Sequence, residues 1–179
     1  MLKRFNSDEI TPRIVKTKII IENSIFIPDG SEDDTIILVN KDGLYLHFKV
    51  SSIPVQGRNA HGVKTSFNDG SSVRMALTNS NVNSFVVLME SKILSEGYVY
   101  IIPIEKIKIG NRCNTLKKLF DFKDFICSGI GTIDLTLKDQ ISLFISDDST
   151  IGLKTNNFKN IKSPRKISCK AFDIVTLTI

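Results

Sequence analysis

Tryptophan is absent from this 179-residue chain, alanine and cysteine occur three times each, and histidine twice. Each scarcity closes off a class. Cys113, Cys127 and Cys169 are odd in number and widely spaced, so they build neither a disulfide framework nor a close-set metal pair. With only His47 and His61 to add, a structural zinc site has too few ligands, and the thiols read as reduced and partly buried. No apolar run approaches the ~20 residues that span a bilayer. The stretch Met1 to Asp8 turns polar where a signal peptide carries its apolar segment. The expectation is a soluble intracellular protein in one domain, residues 1–179.

Against three alanines stand 26 Ile, 11 Val and 12 Thr. Branching at Cβ restricts χ1 in a helix and suits a pleated sheet, whereas alanine is the strongest helix former. The fold class this predicts is all-β. Tyr45, Tyr98 and Tyr100 fall in strand-like segments, where half-buried packing is their expected role.

Three segments share one order of events. The first runs Ile36 to Val39, a turn at Asn40-Lys41-Asp42-Gly43, Leu44 to Phe48, Ile53, then Gly57-Arg58. The second runs Phe85 to Leu88, a polar stretch to Gly97, Tyr98 to Ile102, Ile107, then Asn111-Arg112. The third runs Ile141 to Ile145, Asp147 to Thr150, Ile151 to Lys154, Ile161, then Arg165. The opening strands lie 49 and 56 positions apart and the arginines 54 and 53 apart. A period near fifty with paired short strands is a blade-like unit, which must pack on its neighbours to be stable. Units are expected near 36–84, 85–140 and 141–179, with strands in 10–28 completing a blade, so about three to four blades. Residues 116–127 fit neither the helical nor the strand period and admit a short helix.

Charge is unevenly placed. Residues 1–42 carry 6 basic and 8 acidic side chains, whereas residues 43–179 carry 18 and 11. Acids are missing from Gly43–Asn68, from Lys106–Leu119 and from Ile151–Phe172, the same phase of each unit. Equivalent positions in packed repeats line one face, so these clusters predict a positive stripe suited to a polyanion. Few aromatics interleave, which favours duplex DNA held by its backbone over stacked single strands. An acidic protein partner is the alternative. A small independent enzyme is disfavoured, because Asp29, Glu32, Asp33 and Asp34 form one turn-like solvated run rather than paired acid and base groups.

The stretch from Thr35 to Ala76 closely resembles one blade of the C-terminal domain of bacterial type IIA topoisomerase A subunits. The resemblance rests on an apolar strand, a Lys-x-Gly turn ending at Gly43, a second strand, and Gly57-Arg58-Asn59-Ala60-His61-Gly62-Val63-Lys64 for the family's Gly-Arg-x-x-x-Gly-Val-Lys. A Met-containing strand follows, with Asp69-Gly70 reversed from the usual Gly-Asp. Aligned on the arginines, Arg112 to Lys118 and Arg165 to Ala171 look like decayed copies. The resemblance implies a β-pinwheel whose basic rim binds and bends double-stranded DNA through Arg58, Lys64, Arg112, Lys117, Lys118, Arg165, Lys166 and Lys170, with Gly43, Gly57 and Gly62 as turn residues. It implies a place in an ATP-hydrolysing topoisomerase beside the rest of the A subunit and the ATPase B subunit, in the bacterial cytoplasm and away from membranes. This domain would need no cofactor, ATP and Mg2+ belonging elsewhere in the holoenzyme. With no Arg-Tyr pair in the chain, it would not cleave DNA itself. Few blades, and no Gln-Arg-Arg-Gly-Gly-Arg/Lys-Gly box beyond the faint echo Gln56-Gly57-Arg58, look more like topoisomerase IV than gyrase.

Overall fold

Four consecutive aliphatic residues, Ile36-Ile37-Leu38-Val39, leave no polar face, so a strand made of them needs cover on both sides. In the computed structural model they form β1 (Thr35–Asn40), buried along its whole length. Ile37 and Val39 enter one apolar cluster with Tyr45, Phe85, Val87 and Met89. Ile36 and Leu38 enter a second with Leu46, Phe48 and Val50. The structure describes Ile25 and residues 27–56, 62–67, 73–94, 96–136, 140–144, 150–154, 157, 162–167 and 177–178. The strands expected within 10–28 lie outside these, apart from Ile25, Ile27 and Pro28.

Among the described residues the strands form three antiparallel sheets. In the first, β1 lies between β2 (Leu44–Lys49) and β3 (Val73–Thr78). In the second, β4 (Ser84–Ser91) lies between β5 (Gly97–Pro103) and β7 (Phe125–Ile133). In the third, β8 (Gln140–Phe144) lies between β9 (Thr150–Lys154) and β11 (Leu177–Thr178). Two short strands cross from one unit to the preceding sheet: β6 (Lys117–Lys118) pairs with β2, and β10 (Arg165–Lys166) pairs with β5. The first two sheets are therefore four-stranded, each closed at one edge by the following unit. Single-turn 3-10 helices at Val50–Ser52 and Ile104–Lys106 end β2 and β5 alike, each closed by a 2.9 Å backbone bond, from Ile53 to Val50 and from Ile107 to Ile104.

The same register corrects the alignment on arginines. Lys118 faces Leu44 and the Leu119 amide donates to Gly43 O, while Lys166 faces Tyr98 and the Ile167 amide donates to Gly97 O. Lys117-Lys118-Leu119 is thus the counterpart of Arg165-Lys166-Ile167, and Arg165 stands over Lys117 rather than over Arg112. Nor does 116–127 hold a helix. Its first part serves the edge of sheet one, Leu119 and Phe120 enter the core, and β7 begins at Phe125.

The first two sheets share one core. Phe85 in this core and Phe48 in the second cluster of sheet one are fully buried, each worth up to about 3 kcal/mol. Polar bonds also cross between β3 and β7, from Arg74 Nε to Ser128 O at 2.9 Å and from Thr132 Oγ1 to Leu77 O at 3.0 Å.

The β1–β2 turn is set by its own chemistry. Asn40 Oδ1 accepts from the amides of Asp42 and Leu44, and Gly43 takes φ +75°, where L side chains are strained. A Cβ on Gly43 would also meet the Phe120 ring at 2.5 Å, whereas one on Gly30, at φ +79°, would meet nothing within 4 Å. Gly30→Ala should therefore cost about 1 kcal/mol for the backbone alone. Gly43→Ala should cost about 2–3 kcal/mol in urea unfolding. Equal losses would mean that Phe120 yields freely.

Candidate nucleic-acid interface

The chain after Ile107 runs down the outer edge of β2. The Gly110 amide donates to His47 O at 2.7 Å, Lys117 and Lys118 face Tyr45 and Leu44, and Leu119 reaches Gly43 O. Strand edges present unpaired backbone groups, and this segment satisfies them with a chain rich in cations. Arg112, half-buried, donates from Nη1 to Lys64 O at 2.7 Å, and its own carbonyl accepts from the Ser66 amide. Four of the residues chosen from sequence, Lys64, Arg112, Lys117 and Lys118, thereby lie along one edge. Gly62, at φ +83°, lies two residues before Lys64. Arg58, Gly57 and Lys170 fall outside the described residues.

Arg165 and Lys166 occupy the corresponding edge of sheet two, opposite Val99 and Tyr98. Arg165 Nη1 donates to Asn157 O at 2.5 Å. Lys166 pairs with Glu96 at 2.6 Å, and its counterpart Lys118 pairs with Asp121 at 2.5 Å. Bonding to these ammonium groups holds both carboxyls below the usual carboxylate range, and the Glu96 bond raises Lys166. Exposed pairs of this kind add little stability, but they hold each ammonium in place and reduce its field.

Three exposed lysines that sequence reasoning missed sit at the hairpin-turn ends of the two sheets. Lys41 O accepts from the Cys127 amide at 2.8 Å. Lys92 donates its amide to Asp124 O at 2.9 Å and its ammonium to Lys123 O at 2.8 Å. Lys41 belongs to the acidic first quarter of the sequence, and Lys92 and Lys123 stand apart from basic runs. Only the tertiary path of residues 117–127, from the turn of sheet one to the turn of sheet two, brings them to the same end.

Behind the β2 edge lies a buried polar relay. His47 Nδ1 faces Ile107 O at 3.3 Å, and its Nε2 lies 2.6 Å from Thr35 Oγ1, which also bonds the Thr78 hydroxyl. A carbonyl only accepts, so Nδ1 carries the proton and Nε2 accepts from Thr35. The ring packs edge-on to Phe85. Burial pushes His47 below the usual imidazole value of 6.5, opposed by the bond to Ile107. The relay anchors the start of the segment that carries Arg112.

The surface beside this relay is shallow. The depression lined by Tyr45, His47, Lys108, Asn111, Asn114 and Lys117 holds about 10 Å³, room for about one water. Burial pushes the Cys127 thiol up to about 12, leaving it inert. No group of three metal-ligating side chains occurs among the described residues.

A family model described as the DNA gyrase C-terminal domain, beta-propeller, matches residues 34–74, which covers β1, β2 and the start of β3. Seven chains of solved structures match, among them the crystal structure of the C-terminal domain of DNA topoisomerase IV. That likeness has a TM-score of 0.54 at 19% identity and covers 70% of this chain. The fold is a β-pinwheel. This chain covers 38% of the topoisomerase IV chain it matches, and no curated protein matches it.

The His47 relay should make the pinwheel sensitive to acid. The folded imidazole titrates below 6.5 and the unfolded one near it, so the unfolded state takes up protons first as pH falls. Stability should be full above about pH 6.5 and drop as pH is lowered through the folded value. Urea midpoints measured between about pH 8 and pH 5 should show this slope, and His47→Gln should flatten it. An unchanged slope in the variant would assign the acid sensitivity to other groups.

Proposed function

We propose that this chain is a duplex-DNA-binding and DNA-bending domain of a type IIA topoisomerase A subunit, of the topoisomerase IV kind rather than the gyrase kind. The observation that carries this reading is one device used twice. A basic dipeptide, Lys117-Lys118 and then Arg165-Lys166, is donated to the same edge position of consecutive sheets. Cations spaced along such an edge neutralise successive phosphates and release condensed counterions, which gives salt-dependent affinity with little base readout. The match over residues 34–74 and the likeness to the topoisomerase IV domain support DNA as the polyanion. The lack of a Gln-Arg-Arg-Gly-Gly-Arg/Lys-Gly run in this sequence supports the topoisomerase IV assignment.

The proposed contacts are Lys64, Arg112, Lys117, Lys118, Arg165 and Lys166, joined by Lys41, Lys92 and Lys123. Arg58 and Lys170 are carried over from the sequence. The domain would hold and bend one duplex segment for capture, in the bacterial cytoplasm. Strand cleavage and ATP hydrolysis with Mg2+ would belong to the rest of the A subunit and to the ATPase B subunit.

Gel shifts with short duplex DNA at low and moderate salt test this. Lys117→Gln combined with Arg165→Gln should lower the log-log salt slope by up to about 2. Glu96→Gln combined with Asp121→Asn frees Lys166 and Lys118 for phosphate and should steepen the slope by up to about 2. No shift even at low salt would overturn the reading in favour of an acidic protein partner.

A further inference from the structure

The turn joining β4 and β5 displays two aliphatic side chains. Ile93 is 78% exposed and Leu94 61%, where the equivalent turn of sheet one carries Lys41 and Asp42. Turn tips favour polar residues and glycine, so adjacent Ile and Leu on a tip are unusual. The tip is also braced. The Ser91 amide donates to Glu96 O at 2.9 Å, and Ser91 Oγ accepts from the amides of Ile93 and Leu94 at 3.4 and 3.3 Å. On its other side Lys92 is tied through its amide to Asp124 O and through its ammonium to Lys123 O. Two apolar side chains are therefore projected from a held backbone.

Three lysines, Lys92, Lys123 and Lys166, lie around the tip, with Glu96 and Asp124 among them. β10 lies beside the tip end of β5, and Lys166 grips Glu96, the residue that closes the turn. Lys92 and Lys123 flank the other side. Duplex-bending proteins pair such an arrangement of backbone-holding cations with an apolar wedge pushed between base steps. A protein interface, by contrast, needs an apolar core far larger than two side chains.

We propose that Ile93 and Leu94 form a wedge that enters a base step of duplex DNA held by the cations of sheet two, unstacking it and kinking the duplex. This rests on the DNA-binding reading above and specifies where the bend is made. Insertion is easiest at flexible pyrimidine–purine steps, so the wedge gives a binding surface without base-edge contacts a preference for such steps.

The test uses the full chain and a short duplex with central TA steps, carrying 2-aminopurine at the step and a fluorophore pair at its ends. The native chain should raise 2-aminopurine fluorescence and bring the ends closer. Ile93→Ser with Leu94→Ser, both at exposed positions, should keep the native melting temperature and salt slope. It should lose the fluorescence rise and most of the bend, and bind about five- to tenfold more weakly. Ile93→Met with Leu94→Met should restore all three. A serine variant that still unstacks and bends the duplex overturns the wedge and leaves the DNA-binding reading standing. A native chain that fails to bind duplex overturns both.

Discussion

An antiparallel strand at the edge of a sheet has a row of amides and carbonyls that must find partners, and here the partner comes from the next unit. β2 and β5 are each covered by a two-residue strand from further along the chain, followed by one more amide that bonds to Gly43 or Gly97. This donation caps an edge open to aggregation. It also places a basic dipeptide where backbone pairing fixes it. The positive edge is thus a by-product of how the sheets are finished, since the residues that satisfy the backbone also present their ammonium and guanidinium groups outward.

The donated strand depends in turn on the core behind it. Phe120 lies against Gly43, and Leu119 and Phe120 enter the same apolar cluster as Ile37, Val39 and Phe85. Phe122 and Phe125 then pack edge-on to Tyr100 and Tyr98 of sheet two. One stretch of twelve residues, 116–127, therefore closes an edge, fills a shared core and begins a new strand. His47 ties the start of the preceding segment to Thr35 by a buried hydrogen-bond relay, so the position of Arg112 is linked to the centre of the first sheet.

Much of this was legible in the sequence. The aliphatic runs marked β1 and β4, Asp42-Gly43 marked its turn, and the scarcity of alanine pointed to strands throughout. Two-residue strands, however, carry no periodicity, so Lys117-Lys118 and Arg165-Lys166 could be seen only as charge. Matching arginine to arginine set Arg165 over Arg112, whereas backbone pairing sets it over Lys117 because the segments leading to the donated strand differ in length. The pairing of Lys118 and Lys166 with Asp121 and Glu96 was hidden for a different reason. Glu96 lies seventy positions from Lys166, and only the strand exchange makes them neighbours.

Strand donation also orders events in time. As the chain leaves the ribosome, β1, β2 and β3 emerge together, yet the sheet they form keeps an open edge until residues 117–118 follow. The second sheet waits in the same way for residues 165–166. Each blade must persist with an exposed edge through the synthesis of most of the next one. A nascent chain paused between them carries a template for mispairing with a neighbouring copy, which makes the rate of elongation through the second unit part of how this fold is reached.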